Sequence, residues 1–335
     1  MKKLIIPLAL IILTACATPN QEEAVDLYEE VALPYEVVVL YEPEEINRLD
    51  LHIGVLRGPT GLAALQLMAD GNYEFTLAAA PDEIVPLFVQ GNLDLAAVPP
   101  NLAAVLYNNV GNVSVLAIHT LGILHVIDTT GEINQISDLE GREVFLSGLG
   151  GVPEFAFNYI LNMNGLVPHQ DVFLDFRGEH TEIAALMQAG QAQIAVLPEP
   201  FATTVVNSHE DARFALNLTA EWDRVQPDYP MIMGVLIGRR DFIENNRPGI
   251  DVFLQEYERS INFTNEELAY SSQMAVDFDI IPNAAIAYQA IPRSNIVFIS
   301  GGGIQDYLMG FLRVLYDENP ASVGGALPGE DFFID

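Results

Sequence analysis

A short pattern that recurs in both halves of the chain most constrains its fold. Residues 91–96 read GNLDLA and residues 190–195 read GQAQIA, and each stretch follows a helical run and opens an apolar one. A helix that stops at a glycine and turns at once into a buried strand is typical of α/β units. Repetition of such units predicts a parallel sheet with helices on its faces.

Other apolar runs extend this rhythm over most of the chain. Strands are predicted at 51–56, 73–79, 93–98, 113–118, 143–146, 172–176, 193–197 and 231–237. Helices are predicted at 61–68, 81–89, 102–107, 152–162, 181–188, 249–262, 265–278 and 303–316. Thr60 is predicted to cap the first of these helices, and Pro99 to Asn101 the third. Extended segments near 118–127 and 229–237 are predicted to cross between two α/β units.

The start of the chain has the composition of an export signal. Lys2 and Lys3 precede an apolar run at 4–13, and the sequence Leu-Thr-Ala-Cys that ends at Cys16 resembles the bacterial lipobox. This apolar run is too short to span a bilayer, which takes about 20 residues. We therefore expect residues 1–15 to be a lipoprotein signal peptide and Cys16 to be acylated. The alternative is an ordinary signal peptide with a chance cysteine.

The charge balance excludes one class of partner. The chain has 46 acidic and 14 basic residues and a net charge of -32. Such a chain repels the phosphates of nucleic acid. Both lysines lie in the predicted signal, so the mature chain has arginine as its only strongly basic residue. Arginine stays charged at pH values where lysine loses its proton, so an alkaline or saline exterior and simple compositional drift remain alternatives.

The sequence resembles the NMT1/THI5-like type II periplasmic-binding family of ABC-importer receptors. The resemblance covers about residues 50–335 and is carried by the order and spacing of several motifs. These are IGVLRGPTG at 53–61, GNLDLA at 91–96, DLEGR at 138–142, AGQAQ at 189–193 and PEP at 198–200.

The resemblance implies a fold and a role. The expected fold is α/β and bilobal, with two parallel-mixed sheets, helices on both faces of each sheet, and a hinge of two crossovers. The first lobe is expected at 48–125 and 230–335, and the second, inserted lobe at 126–229, with residues 16–47 as an acylated, acidic tether. The implied partners are a small organic solute of the thiamine-precursor, sulfonate, nitrate or a related class, the permease and ATPase subunits of an importer, and the membrane through the lipid. The implied location is extracytoplasmic.

The sequence departs from the family pattern in two places, and two alternatives to a receptor role remain. Cys16 is the only cysteine, whereas the pyrimidine synthases of this superfamily use a cysteine- and histidine-rich region. The glycine loop at 147–152 lacks the hydroxyl run expected of a sulfonate receptor. An enzyme on the same fold, such as a precursor synthase or a lyase, and an envelope sensor lipoprotein remain alternatives to a receptor.

Candidate ligand-binding residues lie in four loops that follow predicted strands. The carboxyl ends of parallel strands are where α/β proteins form their ligand sites, and helix starts there present free N–H groups. Glu199, between two prolines, is expected to accept a hydrogen bond from the ligand. The full predicted set is Arg57, Pro59, Thr60, Pro100, Asn101, Ser147, Gly148, Gly150, Val152, Glu199 and Tyr229. The six histidines lack metal-ligand spacing, and no catalytic or cofactor motif is found, so neither metal, cofactor nor enzymatic activity is expected.

Overall fold

The structure, a computed structural model, describes residues 48–334. The predicted signal peptide, Cys16 and the tether lie outside the described residues. Within 48–334, no helix is both long enough and apolar enough to cross a membrane.

The described residues form eleven strands and thirteen α-helices. The strands are β1 (His52–Leu56), β2 (Glu74–Ala78), β3 (Leu95–Val98), β4 (Ser114–Leu121), β5 (Leu124–Asp128), β6 (Glu143–Ser147), β7 (Phe173–Arg177), β8 (Ile194–Pro198), β9 (Arg213–Asn217), β10 (Ile232–Gly238) and β11 (Ile296–Ile299). The helices are α1 (Pro59–Ala63), α2 (Leu65–Asp70), α3 (Pro81–Val89), α4 (Pro100–Val110), α5 (Val152–Met163), α6 (His180–Gln188), α7 (Phe201–Ser208), α8 (Leu218–Val225), α9 (Arg240–Asn245), α10 (Arg247–Glu266), α11 (Leu268–Asp277), α12 (Ala284–Ala290) and α13 (Gly303–Glu318).

Two mixed sheets organise these elements. The first has six strands in the order β11-β4-β10-β3-β1-β2, and the second has five in the order β7-β6-β8-β5-β9. In each sheet three neighbouring strands run parallel, namely β2, β1 and β3 in the first and β7, β6 and β8 in the second. Next to each parallel trio lies an antiparallel strand, β10 in the first sheet and β5 in the second.

Both antiparallel strands arrive from the other sheet. Strand β5 follows β4 after only Gly122 and Ile123, and β10 follows β9 and α8. The chain therefore crosses between the sheets twice, and the predicted bilobal α/β fold with a two-crossover hinge is confirmed. The first crossover, at Gly122 and Ile123, lies within the predicted segment near 118–127, and the expected lobe boundary after residue 125 falls inside β5.

Several elements differ from the sequence-based prediction. The helix predicted at 61–68 is two short helices that meet at Ala64, and α7, α8, α9, α12, β9 and β11 were not predicted. Thr60 does not cap α1, so that prediction is wrong. The helix begins at Pro59 with Gly58 as its N-cap, and the φ of Gly58 is +86°. The Thr60 hydroxyl instead donates to the carbonyl of Leu56 at 2.5 Å, which closes the turn after β1.

Aromatic packing joins the two lobes behind the sheets. Trp222 of α8 is fully buried between Tyr159 of α5 and Phe311 of α13, with ring centroids 5.0 and 5.3 Å away. Its indole N–H donates to the carbonyl of Tyr229 at 2.7 Å. Because α13 follows the last strand of the first sheet and α5 and α8 flank the second, this cluster is a contact between the two lobes.

Candidate ligand-binding site

Four loops place the predicted site residues at facing edges of the two sheets. The loops after β1 and β3 share one edge of the first sheet, since these strands are parallel neighbours. The loops after β6 and β8 share one edge of the second sheet for the same reason. The two edges approach each other closely: a Cβ built on Gly58 would lie 3.8 Å from Cδ of Pro200. Helices α12 and α7, one from each lobe, are also in contact.

In the first lobe, most of the polar groups predicted for the site already have partners. The Arg57 guanidinium donates to the carbonyl of Asp279 at 2.6 Å and is also bonded to the Asp279 carboxylate. The Thr60 hydroxyl is held by Leu56. Asn101 differs, because its largely buried side chain makes no hydrogen bond among the described residues. Pro59 and Pro100 occupy the first positions of α1 and α4.

In the second lobe, the glycine loop between β6 and α5 has the conformation that glycine permits. Gly148 and Gly150 have φ of +83° and +75°, in the left-handed region that other residues rarely adopt. The Gly150 N–H donates to Oε2 of Glu154 at 2.5 Å. Val152 starts α5, and its side chain is buried in the core, so only its backbone N–H can reach a ligand.

Ser147, the last residue of β6, forms a pair that the sequence did not reveal. Its hydroxyl is hydrogen-bonded to Nδ1 of His180, the first residue of α6. The His180 ring lies 5.2 Å from the ring of Phe201, which begins α7. Burial lowers the pKa of His180 to about 4, so the imidazole is neutral at physiological pH. Ser147 and His180 therefore form an uncharged polar pair beside the glycine loop.

Glu199 is the most deeply buried acid of the site, with a residue exposure of 1%. Its Oε2 accepts a hydrogen bond from the backbone N–H of Thr203 at 3.3 Å, while Oε1 has no hydrogen-bond partner within residues 48–334. His125 of β5 lies beside it, with Nε2 3.8 Å from Oε1. Burial raises the pKa of Glu199 to about 7, because the ionised carboxylate loses its hydration.

Tyr229 is not brought into this group of loops by any contact of the described residues. Its ring lies against Gly310 of α13, where no side chain would fit beside it. Its carbonyl accepts the Trp222 indole N–H, so the residue takes part in the packing behind the sheets.

Sequence reasoning missed four side chains at or near this site: His125, His180, Phe214 and Arg293. The Arg293 guanidinium, which follows α12 in the first lobe, lies 4.7 Å from the centre of the Phe214 ring in β9 of the second. Phe214 in turn lies 5.1 Å from the His125 ring. One signal was readable, since His180 follows a parallel strand just as the predicted loops do. The approach of Arg293 to Phe214 depends on how the hinge places the two lobes, so no pattern in the sequence predicts it.

Solved structures that are similar to this chain include periplasmic binding proteins. No family model matches the chain, and no curated protein matches it. An ABC transporter protein from Parabacteroides distasonis is similar with a TM-score of 0.74 and 22% identity, over 85% of this chain and 99% of that one. The periplasmic aliphatic sulphonate binding protein SsuA from Escherichia coli is similar with a TM-score of 0.67 and 13% identity, over 84% and 92%. The periplasmic nitrate-binding protein NrtA from Synechocystis gives 0.59 and 12%, over 82% of each chain.

These likenesses define the class of fold. The chain has the bilobal fold of periplasmic binding proteins of ABC transporters, as the sequence motifs predicted. At these identities, structural similarity establishes only the fold and does not identify the ligand.

Proposed function

We propose that this protein is the substrate-binding lipoprotein of an ABC importer, which captures a small organic solute between its lobes and delivers it to a permease. The observation that carries the proposal is the approach of Gly58 to Pro200, which brings ligand-competent loops of two sheets to one place. Two crossovers permit the lobes to part and close around a solute. The transport roles of the similar structures support the same class of function.

The polar groups of the proposed site favour a neutral or positively charged solute over an anion. Arg57 is already bonded to Asp279, and Ser147 and His180 are uncharged. Among the described residues, Asn101 makes no side-chain hydrogen bond, and Oε1 of Glu199, Nε2 of His125 and the Thr203 hydroxyl have no hydrogen-bond partner. A cation or an N–H donor placed against Glu199 favours the ionised form of its buried carboxyl group, which accepts hydrogen bonds and repels sulfonate or nitrate, so we infer a ligand that brings such a donor to Glu199.

A thermal-shift screen of the full-length chain tests the proposed function. A bound solute at 100 times its dissociation constant adds about 2.7 kcal/mol to the free energy of unfolding, which raises the melting temperature. The panel pairs amines, amidines and amides with sulfonates and nitrate of similar size. Mass spectrometry of the recovered solute then separates a receptor, which returns it unchanged, from an enzyme. A panel in which no solute raises the melting temperature would argue against a receptor.

The site itself is tested with two variants and the solute found in the screen. Glu199→Gln is expected to weaken binding by about 1.5–3 kcal/mol, the value of a hydrogen bond to a charged group. Gly150→Val is expected to abolish detectable binding, because its side chain fills the space above the glycine loop. Calorimetry measures both affinities.

Gly141→Val is the matched control for the backbone strain that valine introduces at position 150. Gly141 has a φ of +73° and, like Gly150, has open space where a Cβ would stand, but it precedes β6 at the opposite edge of the sheet. The two valine variants should therefore lose similar stability, while only Gly150→Val loses binding. Unchanged affinity in both site variants would place the ligand elsewhere.

The lipid anchor is a separate part of the proposal. Cys16→Ser is expected to remain uncleaved and to lose labelling by a palmitate analogue, since the thiol is the acyl acceptor in lipoproteins with this motif. Gel mobility and the incorporated label measure the two effects. Equal labelling of the variant and the parent would contradict acylation at Cys16.

A further inference from the structure

The hinge side of the cleft holds two buried groups that can exchange a proton. His125 lies in β5 directly after the first crossover, and Glu199 follows β8, the strand that pairs with β5. Nε2 of His125 and Oε1 of Glu199 are 3.8 Å apart, with the two side chains 7% and 0% exposed. In the part of the chain that the structure describes, neither atom has a hydrogen-bond partner. The separation is beyond hydrogen-bond distance, so an ion pair here would lack the contacts that offset its desolvation.

Both lobes contribute to the surroundings of this pair. Thr203 of α7 donates its backbone N–H to Oε2 of Glu199, and Phe214 of β9 lies edge-on to the imidazole. From the first lobe, the charged group that faces the pair is Arg293, whose guanidinium lies on Phe214. Separation of the lobes breaks this contact and the approach of Gly58 to Pro200, and so admits water to the Glu199 loop.

Burial and exposure favour different protonation states of the same pair. In water, a carboxyl group ionises near pH 4.3 and an imidazole takes up its proton near pH 6.5, so between these values the open pair is carboxylate and imidazolium. Burial disfavours both charged forms. It raises the pKa of Glu199 to about 7 and lowers that of His125 to about 4, so the closed pair is carboxylic acid and neutral imidazole. Each state holds one proton.

We propose that closure of the lobes moves one proton from the imidazole of His125 to the carboxyl group of Glu199, and that opening returns it. An N–H bond is broken, an O–H bond is formed, and no proton is exchanged with the solvent overall. This inference rests on the proposed function as a receptor whose lobes open and close. Its consequence is that the balance between open and closed forms is independent of pH between about pH 4.5 and 6.5.

When either partner is removed, the remaining group makes the balance between open and closed forms depend on pH. With Glu199→Gln, closure must expel the proton of His125, so the closed fraction falls as the pH drops below about 6.5. With His125→Asn, closure must supply a proton to Glu199, so the closed fraction falls as the pH rises above about 4.5. Each dependence approaches about tenfold in the closed-to-open ratio per pH unit.

Fluorescence energy transfer between the lobes measures this ratio without a ligand. Full-length chains carry Cys16→Ser, and dyes are attached at Asp82→Cys and Glu179→Cys, exposed positions after the edge strands β2 and β7. The parent should give a flat profile between pH 4.5 and 6.5, and the two variants should give slopes of opposite sign. Glu258→Gln and His169→Asn, both exposed, remove the same group types elsewhere and should behave as the parent.

Three results would overturn the inference: flat profiles in both variants, slopes of the same sign, or a parent that closes as steeply with pH as a variant. Should a variant not fold, the imidazole resonances of the parent supply the measurement, and a protonated His125 in the closed form at pH 5.5 would contradict the proposal. The proposed function fails separately, through the absence of a stabilising solute in the thermal screen.

Discussion

Acidification from pH 8 to pH 5 is expected to remove several kcal/mol from the free energy of unfolding. Three histidines cause most of the effect: His119 and His125, which are buried, and His180, which is partly buried. Burial lowers the pKa of each to about 4, so each stays neutral in the folded protein. In the unfolded chain each takes up a proton near pH 6.5. Their stabilisation is therefore complete above pH 6.5 and is lost as the pH falls towards 4.

Glu199 acts in the opposite direction. Its folded pKa of about 7 lies above its unfolded value, so the folded state holds this proton between about pH 4.5 and 7. Near pH 5.5 unfolding therefore takes up about three protons on the histidines and releases about one from Glu199. A net uptake of about two protons corresponds to a slope of about 2.7 kcal/mol per pH unit.

Urea unfolding followed by circular dichroism at half-unit pH steps measures this slope. His119→Asn is an informative variant, because His119 lies away from the Glu199 pair, next to Tyr257 in the first lobe. It removes one of the three titrating histidines and should reduce the slope near pH 5.5 by about half. A free energy of unfolding that does not change between pH 7 and 5 would show that these imidazoles are accessible to protons in the folded state.

Trp222→Ala is expected to destabilise the protein by about 3–5 kcal/mol, the usual cost of truncating a large buried aromatic side chain. Trp222 is fully buried, and its truncation leaves a cavity between Tyr159 and Phe311. It also leaves the carbonyl of Tyr229 without the indole N–H. Because the cluster joins helices of both lobes, the loss should affect the unfolding of the whole described domain.

Chemical unfolding followed by circular dichroism measures this effect, since Trp222 is the only tryptophan and the variant loses its fluorescence. Tyr270→Ala is the control, because this side chain is 69% exposed and its removal should change stability by less than about 0.5 kcal/mol. A Trp222→Ala protein as stable as the control would mean that the lobes are held together elsewhere.

Prediction from the sequence succeeded where local pattern and burial coincide. The strands of the two parallel trios were predicted to within about two residues, because each is a short apolar run ended by glycine, proline or a polar turn. Helices α3, α5 and α6 were predicted equally well, because Pro81, Pro153 and the glycines after each helix mark their ends. The least regular part, from 200 to 230, was largely missed, since α7 and α8 have only eight residues each, about two turns, and depend on tertiary packing.

The sequence by itself determined that the chain folds as two α/β units joined by two crossovers, because period-two and helical patterns need only neighbouring residues to be read. It also placed Asn101, Ser147 and Glu199 at the carboxyl ends of parallel strands. The tertiary structure alone decided which of these groups are free. Asp279 pairs with Arg57, His180 with Ser147 and His125 lies beside Glu199, at sequence separations of 222, 33 and 74 residues. Such pairings depend on how the sheets and the hinge are placed in space, and the charge state of a buried group depends on the same placement. A local sequence pattern therefore predicts neither the pairings nor the charge states.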